Sequence, residues 1–297
     1  MGSVDARFPT VACQANAHPT RTQRTRGFTR KMCGRYTLTH VDPNVLGPLF
    51  DLFSAERDTA LSLFPEDLAP RYNICPTQNA PIVRVLSKNA PRMLSLAQWG
   101  LVPSWAKDPI LGSKMINARS ETASEKPAFR SSFKSKRCLV PTDGFFEWKK
   151  VAAGKKQPYW IHRQDNLPFA FAGLWARWKE PTSGASLESF TILTTDATGA
   201  IADIHDRMPV VLPKESFAAW LDPDEQRIEW LDALVRDNQP WDPMVTAVST
   251  RVNNPHNDSP ENIVPVSLSI PATKAAHGTE HGMGASQLAI PGLSRLK

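Results

Sequence analysis

The chain has 297 residues, 41% of them apolar, and a formal net charge of +6. This is enough for one large domain or two small ones, with material for a sizeable core. No apolar run reaches the ~18–20 residues of a membrane-spanning helix, and the first residues lack the apolar stretch of a secretory signal.

The positive charge sits at the ends. Residues 1–31 carry six basic residues (Arg7, Arg21, Arg24, Arg26, Arg30, Lys31) and one acid, Asp5. Residues 268–297 carry Lys274, Arg295 and Lys297 against Glu280. The body between them holds 26 basic and 27 acidic residues. Nucleic-acid binding by the body therefore needs a local patch and specific contacts rather than a global field. The four cysteines, Cys13, Cys33, Cys75 and Cys138, match no zinc-ligand spacing and no dense disulfide framework. They read as reduced thiols, with Cys75 and Cys138 in apolar surroundings typical of buried cysteine.

In chain order, residues 1–31 are polar and Arg-rich without hydrophobic period, and read as disordered or as sequence outside the working protein. Asp42-Pro43 is a cap and a good first-turn residue, leading into Val45, Leu46, Leu49 and Phe53 at helical spacing. Strands are predicted over Ile82–Leu86, Met93–Gly100, Cys138–Pro141, Phe145–Lys149, Tyr159–Arg163, Phe169–Trp178, Ser189–Thr195, Pro209–Leu212 and Val245–Val252. Further helices are predicted over Ser216–Leu221 and Ile228–Val235. Residues 268–297, rich in Ala, Gly, Ser and Pro, read as a flexible tail. The expectation is an α+β fold: one domain over residues 32–267, built on a curved, barrel-like mixed β-sheet with peripheral helices.

Met32-Cys33-Gly34-Arg35-Tyr36 begins the ordered text. A chain starting at Met32 and losing that Met would expose Cys33 as its first residue. An α-amine and a thiol would then stand on adjacent carbons. The amine can form a Schiff base with an aldehyde, and the thiol can close on the imine carbon to give a thiazolidine. An internal cysteine cannot do this, because its nitrogen is an amide. Both groups are partly nucleophilic near neutrality. By itself this short string is also compatible with an ordinary internal cysteine.

Three further segments carry chemistry. In Ile116-Asn117-Ala118-Arg119-Ser120-Glu121-Thr122, Asn117 offers a donor and an acceptor, and Arg119 suits a phosphate; a polar loop has the same composition. In Asp143-Gly144-Phe145-Phe146-Glu147-Trp148, a turn leads into a strand. There Glu147 lies between aromatic residues that would desolvate it and favour acid–base work; a surface glutamate on an edge strand is the alternative. In Ile204-His205-Asp206-Arg207-Met208-Pro209, His205 can shuttle a proton, or be a structural histidine. Trp99, Trp105 and Trp148 are candidates to stack on unpaired bases, each worth about 1–3 kcal/mol when exposed.

Together these strings, with Arg71-Tyr72-Asn73-Ile74, Gln98 to Trp105, Asn253, Asn257-Asp258 and Pro265-Val266, resemble the SOS-response-associated peptidase family of abasic-site processing proteins. The resemblance covers residues 32–267. It implies that Cys33 is the nucleophile and crosslinks to the ring-opened sugar of an abasic site. It further implies that Asn117 positions the lesion, that Glu147 handles protons in imine and ring formation, and that His205 assists ring opening and reversal. Arg35, Pro76, Trp99, Arg119 and Trp148 would contact DNA. Pro76 follows Cys75 where the family often has Ala. The resemblance implies single-stranded DNA with abasic sites as partner. It implies no membrane, no metal and no cofactor, a monomer, and a place in the cytoplasm, at the nucleoid in a bacterium or in the nucleus of a eukaryote. Residues 1–31 depart from the family, whose chemistry needs a free amine at Cys33. A start assigned too early, or removal of the extension by cleavage, including by the protein itself, would supply it. An N-terminal-nucleophile hydrolase of amidotransferase or peptidase type is the competing reading, and a lyase activity is a further expectation.

Overall fold

The computed structural model describes residues 34–52, 68–88, 90–151, 154–236 and 242–268. In chain order the first elements are β1 (Tyr36–Leu38), α1 (Pro43–Phe50), β2 (Arg71–Ile74), β3 (Asn79–Arg84) and β4 (Met93–Trp99). Then come β5 (Asn117–Arg119), α2 (Ser120–Ala123), α3 (Arg130–Ser135), β6 (Arg137–Thr142), β7 (Gly144–Lys150) and β8 (Lys156–His162). The last are β9 (Phe169–Lys179), β10 (Ser186–Asp196), α4 (Gly199–Ala202), β11 (Arg207–Pro209), β12 (Val211–Leu212), α5 (Phe217–Leu221), α6 (Ile228–Arg236) and β13 (Met244–Ala247). The described residues up to Val266 belong to one compact unit, and Ser267 and Leu268 beyond it are exposed.

Five strands close a mixed barrel in the order β10-β4-β3-β6-β9, and β9 pairs back onto β10. The β4–β10 contact is parallel and the other four are antiparallel. The α+β, barrel-based expectation is met. Closure leaves no exposed edge on these strands. Gly173 makes it fit: a side chain there would begin 2.9 Å from both Cys138 Sγ and Val140 Cγ2. A second, wholly antiparallel sheet runs β13-β8-β7-β1-β2. Tyr36 joins the two, with its ring edge-on to Trp99 at 5.1 Å and to Phe171 at 6.2 Å. Phe145 adds an edge contact to Phe171 at 5.8 Å. Such ring pairs contribute about 0.5–1.5 kcal/mol each beyond simple burial.

The α1 helix starts as its sequence predicts. Asp42 accepts from the Asn44 N–H at 2.8 Å, and Pro43 fills the first turn. It ends at Phe50, with Asp51 at φ 49°; Phe53 lies outside the described residues. The predicted Val245–Val252 strand stops at Ala247, because Ser249 caps a 3-10 turn over Thr250–Asn253.

Candidate active site

The barrel strands β4, β6 and β10 end where β3 and β9 begin. Around this mouth the chain gathers its chemical groups. Beyond β4, on the same edge of β10, β5 pairs in parallel, with Asn117 opposite Ile192 and Arg119 opposite Thr194. The Ile116 carbonyl accepts from Trp99 Nε1 at 2.8 Å and from the Ile192 N–H at 3.1 Å, which fixes the approach to Asn117. Asn117 is half-buried, and its Oδ1 is shielded from solvent.

On the other edge of β10, β11 pairs Pro209 with Thr194 and Arg207 with Asp196. Asn117 and His205 are therefore carried by segments about two strand spacings apart, roughly 10 Å. His205 is 6% exposed and enters from α4, its N–H bonded to the Ile201 carbonyl at 3.0 Å. Its Nδ1 lies 3.1 Å from the Arg207 N–H and 3.0 Å from Asp206 Oδ1. The neutral ring accepts from that N–H with its proton on Nε2, and the charged ring donates to the carboxylate. Both protonation states have a partner at Nδ1.

Glu147 is 3% exposed. It is not on an edge: β7 lies between β1 and β8, with Glu147 opposite Tyr159. Its sequence neighbours Phe146 and Trp148 do not surround it, because strand side chains alternate. They pack with Trp160, Val248 and Val252 on the other face. Glu147 shares its face with Phe145, which belongs to the main core. The Phe146 N–H donates to the Arg35 carbonyl at 3.0 Å, so Glu147 follows directly on the register that holds the start of β1. Cys33 lies outside the described residues.

The turn into β7 is braced from below. Asp143, 1% exposed, accepts from the Thr39 hydroxyl at 2.7 Å, from the Thr37 hydroxyl and from the Thr39 and His40 N–H groups. Gly144 is required there, because a side chain would begin 2.2 Å from Trp160 Nε1.

The expected DNA contacts divide. Arg119 is exposed and enters no ion pair among the described residues. Pro76 is half-buried in the turn before β3, where the Thr77 N–H reaches the Trp99 carbonyl at 2.8 Å. Trp148 is half-buried and donates to Asn253 Oδ1 at 2.7 Å. Arg35 is half-buried and turned onto protein oxygens: Asn73 Oδ1 at 3.0 Å and the Val252 carbonyl at 2.6 Å. Trp99 is a correction. It is fully buried, stacked 6.4 Å from Phe190, and has no face to offer a base. Trp105 is 59% exposed, but its loop runs back along β10, with Val102 N–H on Ser189 Oγ and Ala106 O on Trp178 Nε1.

The sequence assigns no role to Arg207, two residues after His205. It is 7% exposed and binds both oxygens of Glu121, at 2.7 and 2.8 Å, as well as Asp196. Burial pushes the Glu121 carboxyl up, but the Arg207 hydrogen bonds and charge outweigh this and hold it below its ordinary value. Cys75 and Cys138 are buried, the Cys75 thiol donating to the Asn73 carbonyl at 3.2 Å, and burial pushes Cys138 well above its ordinary value. Among the described residues no group of three His, Cys, Asp or Glu side chains is placed to hold a metal ion. None of the described helices is long and apolar enough to cross a membrane.

The sequence pattern of the SOS response associated peptidase (SRAP) family matches residues 32–255. This chain belongs to that family. It is 40% identical over 233 residues to the abasic site processing protein YoqW of Bacillus subtilis, covering 78% of this chain and 99% of that one. It is 34% identical over 227 residues to the abasic site processing protein HMCES of Xenopus tropicalis, covering 67% of each. Among solved structures, a protein from Bacteroides thetaiotaomicron superposes with a TM-score of 0.63 at 25% identity, covering 79% of this chain and all of that one. A phage-related protein from Bordetella bronchiseptica gives 0.55 at 30% identity, covering 73% of this chain and 94% of that one.

Proposed function

We propose that this protein recognises abasic sites in single-stranded DNA and captures them through Cys33, acting from the first position of the mature chain. The observation that carries this reading is that the segments of Asn117 and His205 flank the end of β10, while Tyr36, next to Arg35, packs on Trp99, whose Nε1 holds the Ile116 carbonyl beside Asn117. Family membership and the names of the abasic site processing relatives point to the same substrate. Cys33 is two residues from Arg35, so covalent geometry alone keeps the two Cα atoms within about 7 Å.

The chemistry follows from an α-amine, a thiol and an aldehyde. The sugar C1′–O4′ bond breaks as O4′ gains a proton and the C1′ hydroxyl loses one. The Cys33 amine adds to the C1′ aldehyde, and the carbinolamine loses water to give an imine. The thiol adds to the imine carbon while the nitrogen takes the thiol proton, closing the thiazolidine with one water released overall. His205 serves proton transfer at O4′, in ring opening and in reversal. Glu147 serves the departing hydroxyl and the imine nitrogen, and Asn117 holds the sugar. Arg119, Pro76 and Trp148 flank the strand, with Arg119 on a phosphate.

A second reading rests on the family's description as a peptidase. Cleavage before Cys33 by the same nucleophile would free its amine. In either reading the working domain lies within residues 32–267, with the two ends outside it. One experiment separates the readings. The full chain and a chain beginning at Cys33 are each mixed with abasic single-stranded DNA and run on a denaturing gel. A covalent shift from the Cys33 chain supports capture. A shift from the full chain only after loss of residues 1–32 supports self-cleavage. Glutamine or peptide hydrolysis without a shift favours the hydrolase alternative.

A further inference from the structure

We propose that Asn73 is the positioning residue of the Cys33 nucleophile, acting through Arg35 and the loop Val252–Asn257. This rests on the capture reading above and adds to it the device that aims the nucleophile. Asn73 is fully buried on β2. Its Oδ1 accepts from Arg35 Nη1 at 3.0 Å. Its Nδ2 faces the carbonyls of Val252, Asn254 and Asn257 at 3.2, 3.1 and 2.7 Å. Arg35 reaches the same loop directly, from Nη1 to the Val252 carbonyl at 2.6 Å and from Nη2 to the Asn253 carbonyl at 3.3 Å. The loop is held in turn by Asp258 on the Tyr72 N–H and on Arg71 Nε, and by Asn262 Nδ2 on the Asn257 carbonyl.

The loop also meets the acid–base side of the site. Asn253 Oδ1 accepts from Trp148 Nε1 at 2.7 Å, one residue from Glu147. One buried amide therefore fixes the loop that holds both Arg35, two residues after Cys33, and Trp148 on the strand that carries Glu147. Imine formation needs the amine within near-attack distance of the aldehyde carbon, and a misplacement of about 1 Å costs on the order of 10²-fold in rate. Asn73 touches neither substrate nor reacting atoms; its effect passes through the backbone it fixes.

The test uses the chain beginning at Cys33, as wild type, Asn73→Ala and Arg35→Lys. Adduct formation on abasic single-stranded DNA gives a maximal rate and a half-saturating concentration. Binding to the same strand carrying a tetrahydrofuran residue, which has no aldehyde, gives affinity without chemistry. The expected result for Asn73→Ala is a maximal rate lowered on the order of 10²-fold with tetrahydrofuran affinity within about threefold. Arg35→Lys keeps the charge but loses the fork, so it should show the same split to a smaller degree, even if Asn73→Ala does not fold. A wild-type maximal rate in either folded variant, or an equal fall in rate and affinity, overturns the positioning role alone. No adduct from the wild type removes the capture reading and this one with it.

Discussion

Arg207 grips Glu121 with both ends of its guanidinium, Nη1 to Oε1 at 2.7 Å and Nη2 to Oε2 at 2.8 Å. The pair joins β11, which follows His205, to α2, which follows Asn117. A third bond from Nη2 to the Thr194 carbonyl at 2.6 Å anchors it on β10 between them. The two candidate catalytic segments are thus locked by an ion pair as well as by strand pairing.

Breaking that lock should loosen the site before it unfolds the barrel. Glu121→Gln keeps the shape and removes the charge, and the expected loss is about 1.5 kcal/mol, at the low end for a charged hydrogen bond because Glu121 is 37% exposed. Arg207→Met removes the bonds to Glu121 and Asp196 together and takes the guanidinium donor from the buried Thr194 carbonyl, so it should cost more, about 3 kcal/mol. Urea unfolding measures both, and a cost for Glu121→Gln above that for Arg207→Met would contradict the assignment.

Acid should act through the same carboxylates. Burial pushes Glu188 up, but Arg84 and Arg177 outweigh it and hold it below its ordinary value, as Arg207 holds Glu121. A carboxylate lowered in the folded state contributes stability that is fully present above its unfolded pKa and is lost as pH falls through the folded one. The melting temperature should therefore hold its value from pH 7 toward 5 and fall below about 4.3, the ordinary glutamate value. Glu188→Gln should flatten that fall. A melting temperature that rises on acidification would show that other groups govern it.

Much of this was legible beforehand. The predicted spans of β4, β6, β7, β9 and β10 overlap the observed strands because each carries its own apolar or aromatic run between turn residues. The short strands β1, β2 and β5 were not predicted. Three or four residues carry no period, and partners far away fix them, as Ile192 fixes Asn117. The catalytic candidates were legible through family strings. The supports were not: Arg207 meets Glu121 across 86 positions, and Asn73 meets Val252 across 179. Alternation explains why Glu147 is shielded by the core rather than by its aromatic neighbours.

Trp99 and the surface residues should part company in binding experiments. Trp99→Phe removes the Nε1 bond to the Ile116 carbonyl and should cost about 1 kcal/mol of stability with little change in DNA affinity. Arg119→Ala should weaken binding and lower the salt slope by about 0.7, the value of one phosphate on a single strand. Fluorescence titrations across salt concentrations check both. A Trp99→Phe protein that is fully stable but binds poorly would restore Trp99 as a DNA contact.

Glu147 and His205 should have separable roles. Glu147→Gln and His205→Ala are each expected to slow crosslinking or its reversal by about 10²–10⁴-fold without changing the product. The time courses of adduct formation and release across pH 5.5 to 8.5 read this out, over a range that spans ordinary histidine titration. Wild-type rates in both variants would leave the two residues structural.

The central claim is that the amine and thiol of Cys33 together capture the aldehyde. The most direct measurement is the intact mass of the adduct formed by the chain beginning at Cys33, compared with Cys33→Ala and Cys33→Ser. The wild type should give the sum of protein and abasic strand minus one water, stable to heat without reductant. Cys33→Ala should give no heat-stable adduct, and Cys33→Ser only a transient one trapped by borohydride. A heat-stable adduct of the same mass from Cys33→Ala, formed without reductant, would contradict the account.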